Sequence, residues 1–290
     1  MKSVEHIAAL RAQLGEWRQQ GARIALVPTM GNLHAGHMRL VDEAKAQAQR
    51  VVVTIFVNPL QFGVNEDIES YPRTLVADSK KLDTAGVDLL FAPSVTEVYP
   101  QGASAATRIE VPEVSEGLCG DSRPGHFVGV ATVVAKLFNM VQPDVALFGQ
   151  KDYQQLAVIR RMVDDLCFPI KIVGVPTVRE RDGLAMSSRN SYLSPQERAL
   201  APLISNILNG KVAAIRDGMR DFSHLEAEAL IELEAAGFRP DYFRVCNRHT
   251  LKPATREDQE LVVLVAAWVG AARLIDNQEV RLEKGALLQH

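Results

Sequence analysis

Cysteine is scarce in this sequence. Cys119, Cys167 and Cys246 are the only three in 290 residues, and they form neither a C-x-x-C pair nor an even framework, which argues against a disulfide scaffold and for a reduced compartment, the cytoplasm. Cys119, in a glycine-containing segment, is the one candidate nucleophile, and an inert thiol accounts for it better. A basic excess is also missing. The formal charge is −3, so the broad positive field on which non-specific nucleic-acid binding relies is absent, and any polyphosphate ligand has to be met by local groups. Long apolar runs are absent too. The longest, Leu261 to Ala272, falls well short of the ~20 residues that cross a bilayer and fits a buried strand. Glu5, His6 and Arg11 interrupt the first residues, leaving no h-region of a signal peptide. Neither a membrane nor a nucleic acid is an expected partner, and no internal repeat or low-complexity segment appears.

Apolar residues make up 47% of the chain and charged residues 23%, enough for a sizeable core and a solvated surface. At ~150 residues per domain the length points to about two domains. Ile24-Ala-Leu-Val27 reads as a short buried strand ended by the turn Pro28-Thr-Met-Gly31, before a helical pattern from about Gly36 to Gln49. Val51 to Val57 is a continuous β-branched and apolar run, as expected of a strand covered on both faces. This is a βαβ unit, and Val87 to Ala92, Val145 to Phe148 and Lys171 to Val178 supply later strands. Val128 to Val141 is a helix apolar around most of its circumference. The expected fold is α/β, with a doubly wound parallel-sheet, Rossmann-like domain over residues 1–175 and a smaller α+β cap domain over 176–290. In the second domain Ser194-Pro-Gln-Glu197 is a capping box that opens a helix from Pro195 to about Asp217. A helix from Ser223 to Ala236 and strands at Asp241 to Cys246, Leu261 to Trp268 and Arg273 to Asp276 follow.

His34-Ala-Gly-His37 stands where the first strand hands over to the first helix, the carboxyl strand end at which such folds bind ligands. With 7 histidines and 19 glycines, an H-x-G-H arises by chance only about 0.01 times in a chain of this composition. Gly36 lets a nucleotide approach the backbone, while the helix N-terminus and two imidazoles offer donors to phosphate. A pair of capping or core histidines is the competing reading. Gly149-Gln-Lys-Asp152 also follows a strand. There Lys151 could put a point charge on phosphate and Asp152 could accept from a ribose, although alone the segment fits a surface turn as well. Met186-Ser-Ser-Arg-Asn190, behind the turn Arg181-Asp-Gly183, offers two hydroxyls and a guanidinium to a leaving pyrophosphate, or else caps a helix.

Taken together these segments resemble the H-x-G-H and K-M-S-K-S pair of the nucleotidyltransferase superfamily. With Pro28-Thr-Met-Gly31, Phe56-Val-Asn-Pro-Leu-Gln-Phe62, Tyr71-Pro-Arg-Thr74, Arg123-Pro-Gly-His-Phe127 and Phe148-Gly-Gln-Lys-Asp152, the sequence from about residue 22 to Asn277 resembles the pantoate–β-alanine ligases. The resemblance implies an enzyme that uses ATP and Mg²⁺ to join pantoate to β-alanine through a pantoyl adenylate, releasing pyrophosphate and AMP, and that forms a homodimer through its N-terminal domain. It implies ATP contacts at Pro28, Thr29, Met30, Gly31, His34, Gly36 and His37, at Gly149, Gln150, Lys151 and Asp152, and at Val178, Met186, Ser187, Ser188 and Arg189. Within this set His34, His37, Lys151, Ser187, Ser188 and Arg189 are the catalytic group. His37 is the family's proton donor, whereas the chemistry of pyrophosphate leaving from Mg-bound ATP favours charge stabilisation there. The resemblance further implies that Gln61 and Gln155 bind pantoate, with Gln61 also where β-alanine arrives. Neutral amides can orient a carboxylate without quenching its nucleophilic charge. Asn58 is expected to orient the loop carrying Gln61. Phe62, Val130, Val133 and Val134 either wall a slot for pantoate's methyl groups or simply pack the core. Arg123 to Phe127 shapes the pantoate side, contacts a second subunit or is a plain turn, and Tyr71 to Thr74 is structural. No carboxylate cluster is spaced as a metal cage, so Mg²⁺ is expected to come in on the ATP phosphates. The tail after Asn277 matches nothing and is assigned no role.

Three other readings make different demands. A class I aminoacyl-tRNA synthetase needs tRNA surfaces that this composition lacks. A nucleotidyltransferase that loads a phosphorylated alcohol needs Arg or Lys where Gln61 and Gln155 stand. A regulatory ATP-binding module has no need to keep His34, His37, Lys151, Ser187, Ser188 and Arg189 together.

Overall fold

The structure is a computed structural model that describes residues 1–63, 68–69 and 71–282. Its strands are β1 (Lys2–Val4), β2 (Ile24–Thr29), β3 (Arg50–Ile55), β4 (Leu89–Phe91), β5 (Val145–Gly149), β6 (Lys171–Val175), β7 (Arg239–Asn247), β8 (Glu260–Val269) and β9 (Ala272–Arg281). Its helices are α1 (Ile7–Gln19), α2 (Ala35–Gln47), α3 (Leu75–Thr84), α4 (Val95–Val98), α5 (Cys119–Ser122), α6 (His126–Val141), α7 (Tyr153–Asp165), α8 (Pro195–Leu200), α9 (Leu203–Arg216) and α10 (Phe222–Ala235). Two compact units emerge. Met1–Gln150 and Gln155–Pro176 form the first, and Lys151–Gln154 joins the chain from Thr177 onward in the second.

The first unit is built on a six-stranded sheet in the order β1-β4-β3-β2-β5-β6, with every pairing parallel. Its central strands are apolar runs because helices cover both faces. Ile24, Ala25, Leu26, Val27, Val52 and Val53 are wholly buried, each large one contributing roughly 1.5–3 kcal/mol. Strand order grows outward from β2 in one direction through β3 and in the other through β5, so the topological switch point lies between β2 and β5. His34–His37 and Gly149–Gln150 leave these two adjacent strands at their carboxyl ends.

Strand β2 runs through Pro28 to Thr29, past the end expected from the sequence. The proline is tolerated because the β2–β5 ladder covers only Ala25 and Leu26, so no bond is lost where its N–H is missing. The sequence reading also gave no account of β1 and α1. Strand β1 closes one edge of the sheet against β4.

The second unit carries an antiparallel sheet, β7-β8-β9, packed with α9 and α10 around Leu208, Val212, Leu225, Phe243, Val263 and Val265. The capping box forms as the sequence predicts, with Glu197 N donating to Ser194 Oγ at 3.3 Å and Ser194 N to Glu197 Oε2 at 2.8 Å. The single helix expected over Pro195 to Asp217 is instead two, α8 and α9, because Pro202 lacks the N–H that would continue the ladder. Strand β9 runs on to Arg281, so the first part of the tail after Asn277 is sheet, and residues 283–290 lie outside the described residues.

Candidate active site

The turn after β2 is held by a buried carboxylate. Asp78, fully buried on α3, accepts from Asn32 N at 2.8 Å, Leu33 N at 2.9 Å and Thr74 Oγ1 at 2.8 Å. Lys81 lies 3.9 Å away and donates to the Leu33 carbonyl at 2.6 Å. Gly31 has φ +85°, which favours glycine, and a Cβ there would also be tightly packed, 3.2 Å from Ile55 Cγ2 and 3.3 Å from Asp78 Oδ2. The turn also uses Thr29, whose Oγ1 donates to the Thr54 carbonyl at 2.7 Å and accepts from Gly31 N at 3.2 Å.

This fixes the entry into α2, where His34 is the N-cap. Gly36 N donates to His34 Nδ1 at 3.1 Å, and His34 N donates to His37 Nδ1 at 3.2 Å, a capping box made of histidines. Their ring centroids are 4.1 Å apart. The competing capping reading is therefore correct as far as it goes, and it has a chemical consequence. With each Nδ1 accepting from a backbone N–H, each neutral ring carries its hydrogen on Nε2. Two Nε2–H donors then stand at one helix N-terminus, whose positive end suits phosphate.

Gln61 occupies the end of a one-turn 3₁₀ helix, Pro59–Gln61, capped by Asn58. Asn58 is 1% exposed and has every polar atom engaged. Its Oδ1 accepts from Tyr99 Oη at 2.8 Å and Leu60 N at 3.3 Å, and its Nδ2 donates to the Gly129 carbonyl at 3.1 Å and to Gln61 Oε1 at 3.2 Å. Because the Gly129 carbonyl only accepts and Leu60 N–H only donates, the orientation of the Asn58 amide is forced. Gln61 must then turn its oxygen toward Asn58 and its NH₂ outward, where Nε2 lies 3.1 Å from Met30 Sδ. The backbone of Gln61 is pinned as firmly. Arg123 Nη1, a donor only, reaches His126 Nε2 at 3.0 Å, so His126 Nδ1 carries the hydrogen that it donates to the Gln61 carbonyl at 2.8 Å. Arg123 Nη2 adds a weaker bond to that carbonyl at 3.4 Å.

Helix α6 approaches so closely that a Cβ on Gly129 would lie 2.2 Å from the Leu60 oxygen. The Arg123–Phe127 segment thus shapes the surroundings of Gln61. Val130, Val133 and Val134 are at most 5% exposed, and Phe62 packs edge-on to Tyr71 at 5.6 Å. Gln155, partly exposed on the first turn of α7, stands outside the Gln61 network.

In the second unit Lys151 is partly buried, its Nζ 3.9 Å from Asp152 Oδ2. Val178 and Met186 face each other in a short hairpin, Met186 N donating to the Val178 carbonyl at 3.0 Å, with Arg179 bridged to Ala185. Gly183, at φ +92°, makes the tip. Ser187 Oγ then accepts from Arg189 N at 3.2 Å, capping the 3₁₀ turn Ser188–Tyr192. Asn190 Nδ2 ties that turn back to the Ala185 carbonyl at 3.1 Å. The segment is thus a short hairpin followed by a one-turn cap.

The Pantoate-beta-alanine ligase family model matches residues 2–279. The chain belongs to the pantoate–β-alanine ligase family. It is 60% identical over 284 residues to the pantothenate synthetase of Pseudomonas entomophila, covering 98% of this chain and 99% of that protein. The pantothenate synthetase of Marinobacter nauticus is 57% identical over 280 residues, 97% of this chain and 99% of that one. Among solved structures, the pantothenate synthetase of Thermus thermophilus superposes with a TM-score of 0.91 at 48% identity, over 97% of this chain and all of that one. The pantoate–β-alanine ligase of Francisella tularensis, solved with "Beta-gamma ATP" and β-alanine, gives 0.82 at 35% identity over 96% and 97%.

For a member of the pantoate–β-alanine ligase family the structure groups Met30, Asn58 and Gln61 in the first unit, and Val178 with Met186 to Asn190 in the second. Sequence reasoning missed Asp78, Tyr99, His126 and Arg179. Asp78 and Tyr99 lie in ordinary helical and turn contexts and gave no signal, whereas His126 stood inside a segment already singled out.

Proposed function

We infer that this ligase condenses pantoate with β-alanine at the expense of ATP, through a pantoyl adenylate. The observation that carries the reading is the forced orientation of Gln61. An amide that can only donate suits the carboxylate and hydroxyl oxygens of pantoate, and it leaves the carboxylate its nucleophilic charge. A phosphorylated acceptor would call for a cation at that place.

In the first half-reaction a pantoate carboxylate oxygen attacks the α-phosphorus of ATP, the bond to the bridging oxygen breaks, and pyrophosphate departs with the electron pair. His34 and His37 serve this step as neutral Nε2–H donors to phosphate oxygens, with the α2 N-terminus behind them. Lys151 supplies a point charge, and Ser187, Ser188 and Arg189 donate to the charge that grows on the leaving group. Pro28, Thr29, Met30, Gly31 and Gly36 line the ATP backbone contacts, Gly149, Gln150 and Asp152 serve phosphate and ribose, and Val178 and Met186 lie toward the base. Mg²⁺ would arrive on the ATP phosphates and neutralise part of their charge. In the second half-reaction the β-alanine amine attacks the acyl carbon of the adenylate, AMP leaves, and the amine loses a proton. Gln61 and Gln155 orient pantoate, with Phe62, Val130, Val133 and Val134 as the apolar side of its pocket. A homodimer in the cytoplasm completes the reading, and the mass of the purified enzyme in solution tests the dimer.

The deciding experiment mixes the enzyme with ATP, Mg²⁺ and pantoate and follows exchange of labelled pyrophosphate into ATP. Exchange without β-alanine is expected, since adenylate formation needs no amine. Exchange that appears only with β-alanine present would overturn the adenylate route.

A further inference from the structure

Strand β9 places four polar residues in a row, Asp276, Asn277, Gln278 and Glu279, after the core residue Leu274. Asp276 is 2% exposed and Asn277 8%, and burial of a carboxylate or an amide without partners is strongly unfavourable. Both residues have partners, and these partners belong to the ATP-contact segments.

Side chains alternate across a strand, so Asp276 shares the face of Leu274 and Val280, while Asn277 and Glu279 share the other. On the first face Asp276 grips the guanidinium of Arg179 in a bidentate pair, Nη1 to Oδ2 at 2.6 Å and Nη2 to Oδ1 at 2.8 Å. Arg179 Nη1 also donates to the Gly183 carbonyl at 3.0 Å. One side chain therefore ties both the base and the tip of the hairpin that leads into Met186–Arg189. On the second face Asn277 Nδ2 donates to the Lys151 carbonyl at 2.8 Å, and Glu279 Oε1 accepts from Tyr153 Oη at 2.8 Å. Arg248 Nε holds the same Glu279 oxygen at 3.0 Å. These contacts explain why Lys151–Gln154, which continues directly from a strand of the first unit, is structurally part of the second.

We propose that Asp276–Glu279 is a clamp that holds the Lys151 turn and the Met186–Arg189 loop in one rigid frame, and that Asn277 is a positioning residue acting on ATP through Lys151. The proposal rests on the assignment of Lys151 and of Ser187–Arg189 to the ATP phosphates. Lys151 has a long flexible stem, and its charge is useful only if its Cα is fixed. The bond from Asn277 to the Lys151 carbonyl fixes the backbone there, and Asp276 fixes the second segment from the same stretch of strand.

The test is a double-mutant cycle on pantoate-dependent pyrophosphate–ATP exchange. The enzymes are wild type, Asn277→Ala, Lys151→Ala and the double variant. Asn277→Ala should lower the exchange rate about 10-fold, in keeping with one lost positioning bond, with KM for pantoate unchanged. The double variant should be within about two-fold of Lys151→Ala alone, because a residue that acts through Lys151 has nothing to act on once it is gone. Tyr153→Phe, which keeps the ring and removes the hydroxyl from Glu279, should show the same pattern at about 3-fold. Asn277→Asp, which keeps the shape but faces an acceptor toward a carbonyl, should lose at least as much as alanine. Multiplying effects in the double variant, or an Asn277→Asp enzyme as active as wild type, would overturn the clamp and leave the reading of Lys151 intact. An active Lys151→Ala enzyme would instead overturn the assignment of Lys151 to ATP, and the clamp with it.

Discussion

Asn58 Nδ2 donates to Gln61 Oε1 at 3.2 Å, and that bond decides which end of Gln61 a ligand meets. The Gly129 carbonyl and Leu60 N–H fix the orientation of Asn58, and Tyr99 reinforces it, its hydroxyl donating to Asn58 Oδ1 at 2.8 Å. Tyr99→Phe keeps the ring and removes one of the bonds that hold Asn58, which loosens Asn58 and, through it, Gln61. KM for pantoate should rise about 3–10-fold, the cost of one buried hydrogen bond, while KM for ATP holds. Steady-state kinetics with each substrate varied checks this, and equal rises in both constants would mean that Tyr99 only supports the fold.

Glycine at 129 is set by geometry, because a Cβ there would overlap the Leu60 carbonyl. Gly129→Ala must push α6 away from the Pro59–Gln61 turn, and a loss of about 1–3 kcal/mol is expected from overpacking, with weaker pantoate binding. Gly210 in α9 is the control, since a Cβ there meets nothing within 4 Å. Gly210→Ala should stabilise by about 0.5–1 kcal/mol through helix propensity. Urea unfolding of the two variants should move in opposite directions.

These two positions also show how far the sequence could be read. The β2–α2 handover was legible because a strand covered on both faces is a plain apolar run and H-x-G-H sits at its end. Gln61, Asn58 and the Met186–Asn190 segment were legible only as motifs. Nothing local announces that Tyr99 helps to hold an amide, or that Asp78 on α3 closes the turn before His34, since these roles exist only through contacts between residues far apart in the chain. Strand β9 was cut short at Asp276 for a related reason. Its polar run breaks the apolar pattern of a strand because those side chains are engaged with Arg179, Lys151 and Tyr153. The break at Pro202 was legible in principle, since proline inside a helical pattern ends it.

Alkaline stability draws on buried acids, Cys246 and Tyr99 among them. Burial, reinforced by Glu226, pushes the Cys246 thiol from 9.0 up to about 12, and burial pushes the Tyr99 phenol from 10.0 up to about 12. The folded state keeps protons that the unfolded chain releases, so this stability is fully present below about pH 9 and is lost as pH rises toward 12. Unfolding free energy measured by urea at pH 8, 10 and 11 should fall, and Cys246→Ala should flatten the decline by up to about 1.4 kcal/mol per pH unit. The same burial predicts that alkylation of the native protein at pH 8 labels exposed Cys167 and spares Cys246.

Gly183 to Asn190 form the tip and second arm of the hairpin and the turn that follows it. In the structure this segment already has internal bonds, from Gly183 N to the Glu180 carbonyl at 3.0 Å and from Asn190 N to the Ser187 carbonyl at 3.0 Å. Most of its side chains nevertheless remain partly exposed, Ser187, Ser188 and Arg189 among them. Hydrogen bonds near solvent open locally at low cost, so the amides here should exchange quickly in the free enzyme. If Ser187, Ser188 and Arg189 donate to ATP phosphates, the nucleotide adds contacts that exist only when the turn is closed, and it must slow that opening. Mass-spectrometric hydrogen exchange with saturating ATP and Mg²⁺ should therefore show protection over about residues 183–190. Arg189→Ala should weaken the protection while exchange in β7 and β8 stays as in wild type, which separates loss of a ligand contact from loss of the fold. Exchange in 183–190 that ignores ATP would remove these residues from the site and leave phosphate binding to His34, His37 and Lys151.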